Sequence, residues 1–162
     1  MSNFRDAIKY VLTETLKGMN KGLTIDELAS IVKLPDELAK LPYLGEFYGT
    51  VAWTVRSIYN GYLGWFDGNP TNLNKLPPKK HAEKMLDLIG SEEQTITAIK
   101  KALEKQEAQW AVELCDLLIS AEREFNIGKQ LKAEGLMALS KLETSANGRH
   151  YYIAYAKELL ED

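Results

Sequence analysis

The sequence predicts an all-α fold: a multi-helix bundle in which helical hairpins surround a buried central helix. Three observations carry this. Apolar residues recur at three- and four-residue spacing along most of the chain, the signature of helices with one inward face. Helix start and stop signals fall between those stretches. No segment shows sustained strand alternation joined by hairpin turn pairs, which leaves helix-on-helix packing as the way to build a core.

The N-terminal helices are expected over residues 3–40. From Asn3 to Met19, the residues Phe4, Ile8, Val11, Leu12, Leu16 and Met19 share one side, and Gly18, Asn20 and Gly22 supply the ending. Thr24-Ile25-Asp26-Glu27 has the capping-box pattern, with Leu23 and Leu28 placed as a hydrophobic staple. Ile25, Leu28, Ala29 and Val32 form its apolar face, and Pro35 stops it. The segment from Asp36 to Lys40 reads as one more turn of helix before Pro42.

The central helix is expected over 46–66. Between Glu46 and Asp67 the only formal charge is Arg56, and seven of the chain's fifteen aromatics, Trp53 and Trp65 among them, lie in this stretch. One helical row holds Tyr48, Ala52, Val55, Tyr59, Tyr62 and Phe66; a second holds Phe47, Val51, Thr54, Ile58 and Trp65. A helix apolar on nearly all sides is expected to be wrapped by other elements. At about 1.5 Å per residue it would span roughly 30 Å. Asp67-Gly68-Asn69-Pro70 is a strong turn signal that ends it.

Helical hairpins are expected over 78–162. Pro78 suits a first helical position, and Ala82, Met85, Leu86 and Ile89 continue that helix to Gly90. Ser91 to Gln94 reads as a second capping box, opening a helix with Ile96, Ile99 and Leu103. Further helices follow over 108–122, with Trp110, Leu114 and Leu118, and over 127–142, with Leu131, Leu139 and Leu142. The last starts at Ser145 or Asn147 and carries Tyr152, Tyr155, Ala156 and Leu159. Paired helices of this length, with small residues at the crossings, are expected to stack like tetratricopeptide hairpins, although no clean repeat of about 34 residues is visible.

The whole chain, 162 residues, is expected to form a single domain large enough to bury a core without staples. A net charge of −3 and the lack of a basic block argue against nucleic acid as partner. No apolar run is long enough to cross a bilayer without polar breaks, and no leader is visible, so a cytoplasmic setting is expected. Cys115 stands alone in an apolar helical pattern and reads as a small buried hydrophobe.

The residues of familiar catalytic sites are missing. His81 and His150 are the two histidines, far apart and without carboxylates at metal-ligand spacing. No H-E-x-x-H, H-x-H-x-D-H, C-x-x-C or G-x-S-x-G motif occurs, nor a phosphate-cradling glycine loop. The chain alone is therefore expected to have no catalytic residues, no metal site and no enzymatic activity. Polar candidates lie in and beside the central helix. Arg56 needs partners there, and an ion pair with a carboxylate such as Asp67 or Glu46, or snorkelling to the surface, is the simplest expectation. Asp67 is expected to bind local backbone N–H groups at the turn.

The stretch Tyr48-Gly49-Thr50 and then Ile58 to Pro70, with the run Tyr62-Leu63-Gly64-Trp65-Phe66-Asp67-Gly68-Asn69-Pro70, resembles the dimerisation domain of alkylsulfatases of the metallo-β-lactamase superfamily. Agreement extends upstream through Met19 to Thr24, Asp26 to Ala29 and Leu34-Pro35. Downstream it runs through Leu76-Pro77-Pro78 to Tyr151, Tyr152 and Ala156 to Leu159. The structural motif is thus Tyr48, Gly49, Gly64, Trp65, Phe66, Asp67, Gly68, Asn69 and Pro70. The resemblance implies a piece of a larger hydrolase of sulfuric esters. In such an enzyme a metallo-β-lactamase domain, absent from this sequence, holds two zinc ions, and the helical domain pairs with a second copy. It also implies that Arg56, Tyr59 or Tyr62 lies near substrate in the parent, whose own N-terminus could carry an export signal. Ala52-Trp53-Thr54 stands where many alkylsulfatases have Ser-His-Asn, and Gly61 where they have a basic residue. These departures point away from linear alkyl sulfates and toward another ester. The rival expectation is a free-standing helical adaptor holding a peptide or a small apolar ligand in a groove.

Overall fold

Residues 2–161 are described by a computed structural model. The described residues form helices joined by turns and, on either side of residues 51–63, by longer irregular segments, with no strand among them. In order these are α1 (Ser2–Asn20), α2 (Ile25–Ile31), α3 (Asp36–Ala39), α4 (Val51–Leu63), α5 (Pro78–Ile89), α6 (Glu92–Glu104), α7 (Ala108–Ala121), α8 (Phe125–Leu142) and α9 (Ala146–Glu158). Single 3-10 turns occupy Pro42–Leu44 and Pro70–Asn72. The all-α bundle expected from periodicity is the observed architecture. The chain falls into two compact units, Met1–Lys75 and Leu76–Asp162.

In the first unit α4 packs against α2 and α1. The core is Val11, Leu28, Ala29, Val32, Val55 and Tyr59, with Met19, Leu23 and Ile58 against it. The capping box at α2 is complete. Thr24 Oγ1 accepts from the Glu27 N–H, and the Glu27 carboxylate accepts from the Thr24 N–H at 2.8 Å. On α1 the inward stripe is Ala7, Val11, Thr15 and Gly18, whereas Phe4 and Ile8 of the expected apolar side face solvent. Small residues win the inward positions because the helices approach closely. A Cβ on Gly18 would lie 2.2 Å from Leu28 Cδ2.

In the second unit α7 packs against α5, α6 and α8, and α9 packs on α8. One core joins Ala82, Leu86, Ile99, Ala102, Leu114, Cys115 and Leu118; another joins Val112, Ala133, Leu136, Ala156 and Leu159. Ser91 Oγ accepts from the Gln94 N–H at 3.2 Å, and Ser145, not Asn147, caps α9 by accepting from the Gly148 N–H. Cys115 is fully buried, and burial pushes its thiol pKa up to about 12, as expected of an inert hydrophobe.

The buried central helix is where expectation and structure part. Residues 46–66 do not form one rod: α4 covers Val51–Leu63, about 20 Å long. Its start is set by Thr50, whose hydroxyl accepts from the Trp53 N–H at 3.1 Å, and by Glu46, whose carboxylate accepts from the Val51 N–H at 2.6 Å. Its end is set by Gly64 at φ +74°, a left-handed backbone that side chains rarely adopt. Of its residues only Val55 and Tyr59 are buried. The helix surrounded on most sides is α7, which buries Ala108, Ala111, Val112, Leu114, Cys115, Leu118 and Ala121.

Candidate functional site

The site is built around the two ends of α4 in the first unit. At its C-terminal end, Tyr62 and Leu63 are exposed and Gly64 turns the chain outward, leaving Trp65 73% accessible. The Trp65 and Phe66 rings stand 5.7 Å apart in a tilted arrangement. Immediately after them, the Asp67 carboxylate accepts from the Asn69 N–H at 3.0 Å and from Asn72 Nδ2. Asn69 Oδ1 accepts from the Thr71 N–H. Asp67 is thus the turn residue the sequence predicts. It fixes the loop that carries the aromatic pair.

These hydrogen bonds, first among them that from the Asn69 N–H, hold the Asp67 carboxyl below the usual carboxylate range, with Lys75 adding to the effect. A depressed carboxyl contributes stability that is present above its ordinary pKa and is lost as pH falls through the lower, folded value. The expected outcome is that wild-type protein loses thermal stability between neutral and acid pH more steeply than Asp67→Asn. Parallel melts down to about pH 3 measure the difference, and Glu27, depressed by its bonds to Thr24, behaves alike in both proteins.

Arg56 makes the expected ion pair with a carboxylate, but the carboxylate is Asp26 and not Asp67 or Glu46. Its Nη1 lies 2.6 Å from Asp26 Oδ1, tying α4 to α2, while Glu46 caps α4 and Asp67 holds its own turn. Both partners are substantially exposed, so the pair adds only about 0–1 kcal/mol. Tyr59, at 5% exposure, belongs to the core, so of the three residues expected near substrate only Arg56 and Tyr62 present surface. Tyr48 and Gly49 sit at the opposite, N-terminal end.

There the segment from Leu41 to Thr50 forms an irregular strap beside the start of α1. Asn3 Nδ2 donates to the Tyr43 hydroxyl at 2.9 Å, pinning the strap to the start of α1. Between strap, α1 and α4 lies an open groove of about 450 Å³, lined among others by Phe4, Ile8, Leu44, Phe47 and Val51. Phe4, Ile8, Tyr43, Phe47 and Tyr48 are each more than half exposed. The helical spacing places Phe4 and Ile8 on the expected core side of α1, whereas both face solvent. The usable signal is that this side holds more apolar residues than one packed stripe can bury.

His81 and His150 are exposed and distant in sequence, and no group of three or more His, Cys, Asp or Glu among the described residues could hold a metal ion. No helix among them is long and apolar enough to cross a membrane.

Residues 24–162 match the family described as alkyl sulfatase dimerisation. The chain belongs to that family. It is 42% identical over 156 residues to a linear primary-alkylsulfatase of Pseudomonas sp., covering 96% of this chain and 30% of that protein. It is 32% identical to an (R)-specific secondary-alkylsulfatase, also from Pseudomonas sp., over 98% of this chain and 24% of the relative. A solved structure of a stereoselective inverting sec-alkylsulfatase from Pseudomonas sp. superposes with a TM-score of 0.94 at 32% identity, covering 99% of this chain and 25% of that one. The chain therefore spans less than a third of the length of these relatives. The alkylsulfatase resemblance read from the run Tyr62 to Pro70 is confirmed.

Proposed function

We propose that this chain is the dimerisation and scaffold domain of a zinc-dependent alkylsulfatase-like hydrolase and has no catalytic activity of its own. The observation that carries the reading is its similarity, along 96% of its length, to under a third of a linear primary-alkylsulfatase. The bond-breaking groups then belong to a metallo-β-lactamase-fold domain in cis, and the two zinc ions to that domain. No ligand set among the described residues fits them. Both compact units act as one functional domain, because the relatives' similarity covers both. Packing of α7 against α5, α6 and α8 supports stacked hairpins of tetratricopeptide type in the second unit.

Within the parent, the C-terminal end of α4 faces the catalytic domain. Tyr62 is exposed there and supplies a phenol toward an anionic ester, Asp67 holds the turn after it, and Arg56, exposed midway along α4 and paired with Asp26, supplies a cation. Linear alkyl sulfates and a differently shaped ester are separated by comparing both substrates on the parent. Similarity to sulfatases through both units favours this reading over a free-standing adaptor.

Two measurements test it. The purified chain is expected to release no sulfate from alkyl sulfates with or without added zinc, and turnover would overturn the non-catalytic role. It is expected to sediment as a defined dimer at micromolar concentration, and a monomer would overturn self-association.

A further inference from the structure

We infer that the surface on which two copies meet is the strap face of the first unit. It comprises Phe4 and Ile8 of α1 with Tyr43, Phe47 and Tyr48. This rests on the self-association proposed above and names its location. Three features single the face out. The first is area. At about 200 Å² per large side chain, five residues more than half exposed leave roughly 600 Å² uncovered. A standard interface takes about 800 Å² from each partner, so this patch with its rim is of the right size. An apolar patch of this size is at the upper end of what monomers expose, a range in which such patches often mark contact sites.

The second feature is charge. In a two-fold contact the same patch meets itself, so any unbalanced charge near the axis meets its own image. The groove lining holds one formal charge, Glu46, and its carboxylate is taken up by the Val51 N–H at 2.6 Å. Arg5 and Asp6 at the rim neutralise one another at 2.8 Å. The third is shape. An open groove of about 450 Å³ is flanked by projecting rings of the same patch, so knob and hole are both present for the second copy.

In the second unit, the apolar groove at Trp110, Leu139 and Leu142 carries Glu107 and Glu113, which like-charge contact would penalise. The same α4 then serves two partners from its two ends, the catalytic domain at Tyr62 and the second copy at the strap.

The test is sedimentation of the full chain and of variants whose helix content matches wild type by circular dichroism. Ile8→Glu and, independently, Tyr48→Ser are expected to weaken the dimer at least tenfold. Trp110→Glu and Leu142→Glu in the second unit are expected to leave it within twofold. A wild-type dimer unaffected by both strap-face variants, or broken by the second-unit variants, would overturn the location while self-association stands. A wild-type monomer would overturn self-association and the location with it.

Discussion

Leu118→Ala is expected to destabilise the Leu76–Asp162 unit by about 3 kcal/mol, within the ~2–5 kcal/mol range for buried leucine truncations. Leu118 is fully buried on α7, the helix that α5, α6 and α8 enclose. Its neighbours in that core include Ala82, Ala102, Ala111 and Ala121, side chains with no rotamers through which to move into the vacated space. Such a site collapses poorly, so the cavity persists and adds to the lost transfer free energy. Leu142→Ala supplies the control, since Leu142 is 74% exposed and its truncation is expected to stay within about 0.5 kcal/mol. Urea titrations read both, with the midpoint shifting at unchanged slope if only stability has changed. A Leu118→Ala loss below about 1 kcal/mol would contradict the packing described around α7.

Helix positions and caps were legible because their causes are local. Pro78 at a first turn, Thr24 with Glu27, Ser91, Ser145 and the glycine after α1 act through bonds or dihedrals within four residues, whereas α4 ends at Gly64, before the Asp67-Gly68 turn that the sequence marks as its stop. Burial was less legible because it is decided between elements. The stretch 46–66 was read as enclosed on hydropathy, whereas α7, rich in alanine, is the helix its neighbours enclose. Small residues allow neighbours to close in on several sides; the rings of α4 are bulky, and the first unit is too small to cover them. Apolarity marks surface that is costly to leave wet but does not say whether the cover comes from the same chain. The partner of Arg56 was hidden for a related reason. Asp26 lies thirty residues upstream, and only the packing of α4 on α2 brings the two together.

Two substitutions on α4 separate the face that folding needs from the face kept for other contacts. Val55 is fully buried against α1 and α2, so Val55→Asp places a carboxylate in a core with no cation to meet it. An unpaired buried charge costs about 3–5 kcal/mol, enough to unfold a marginal unit. Protonation lowers the penalty, so this variant is expected to recover part of its stability as pH falls, opposite to the trend at Asp67. Two residues earlier on the same helix, Trp53 is 39% exposed, and Trp53→Asp is expected to cost about 1 kcal/mol or less. Thermal melts and far-ultraviolet circular dichroism across pH measure both. Equal damage from the two would mean that α4 is enclosed on both faces, contrary to the exposure of Trp53.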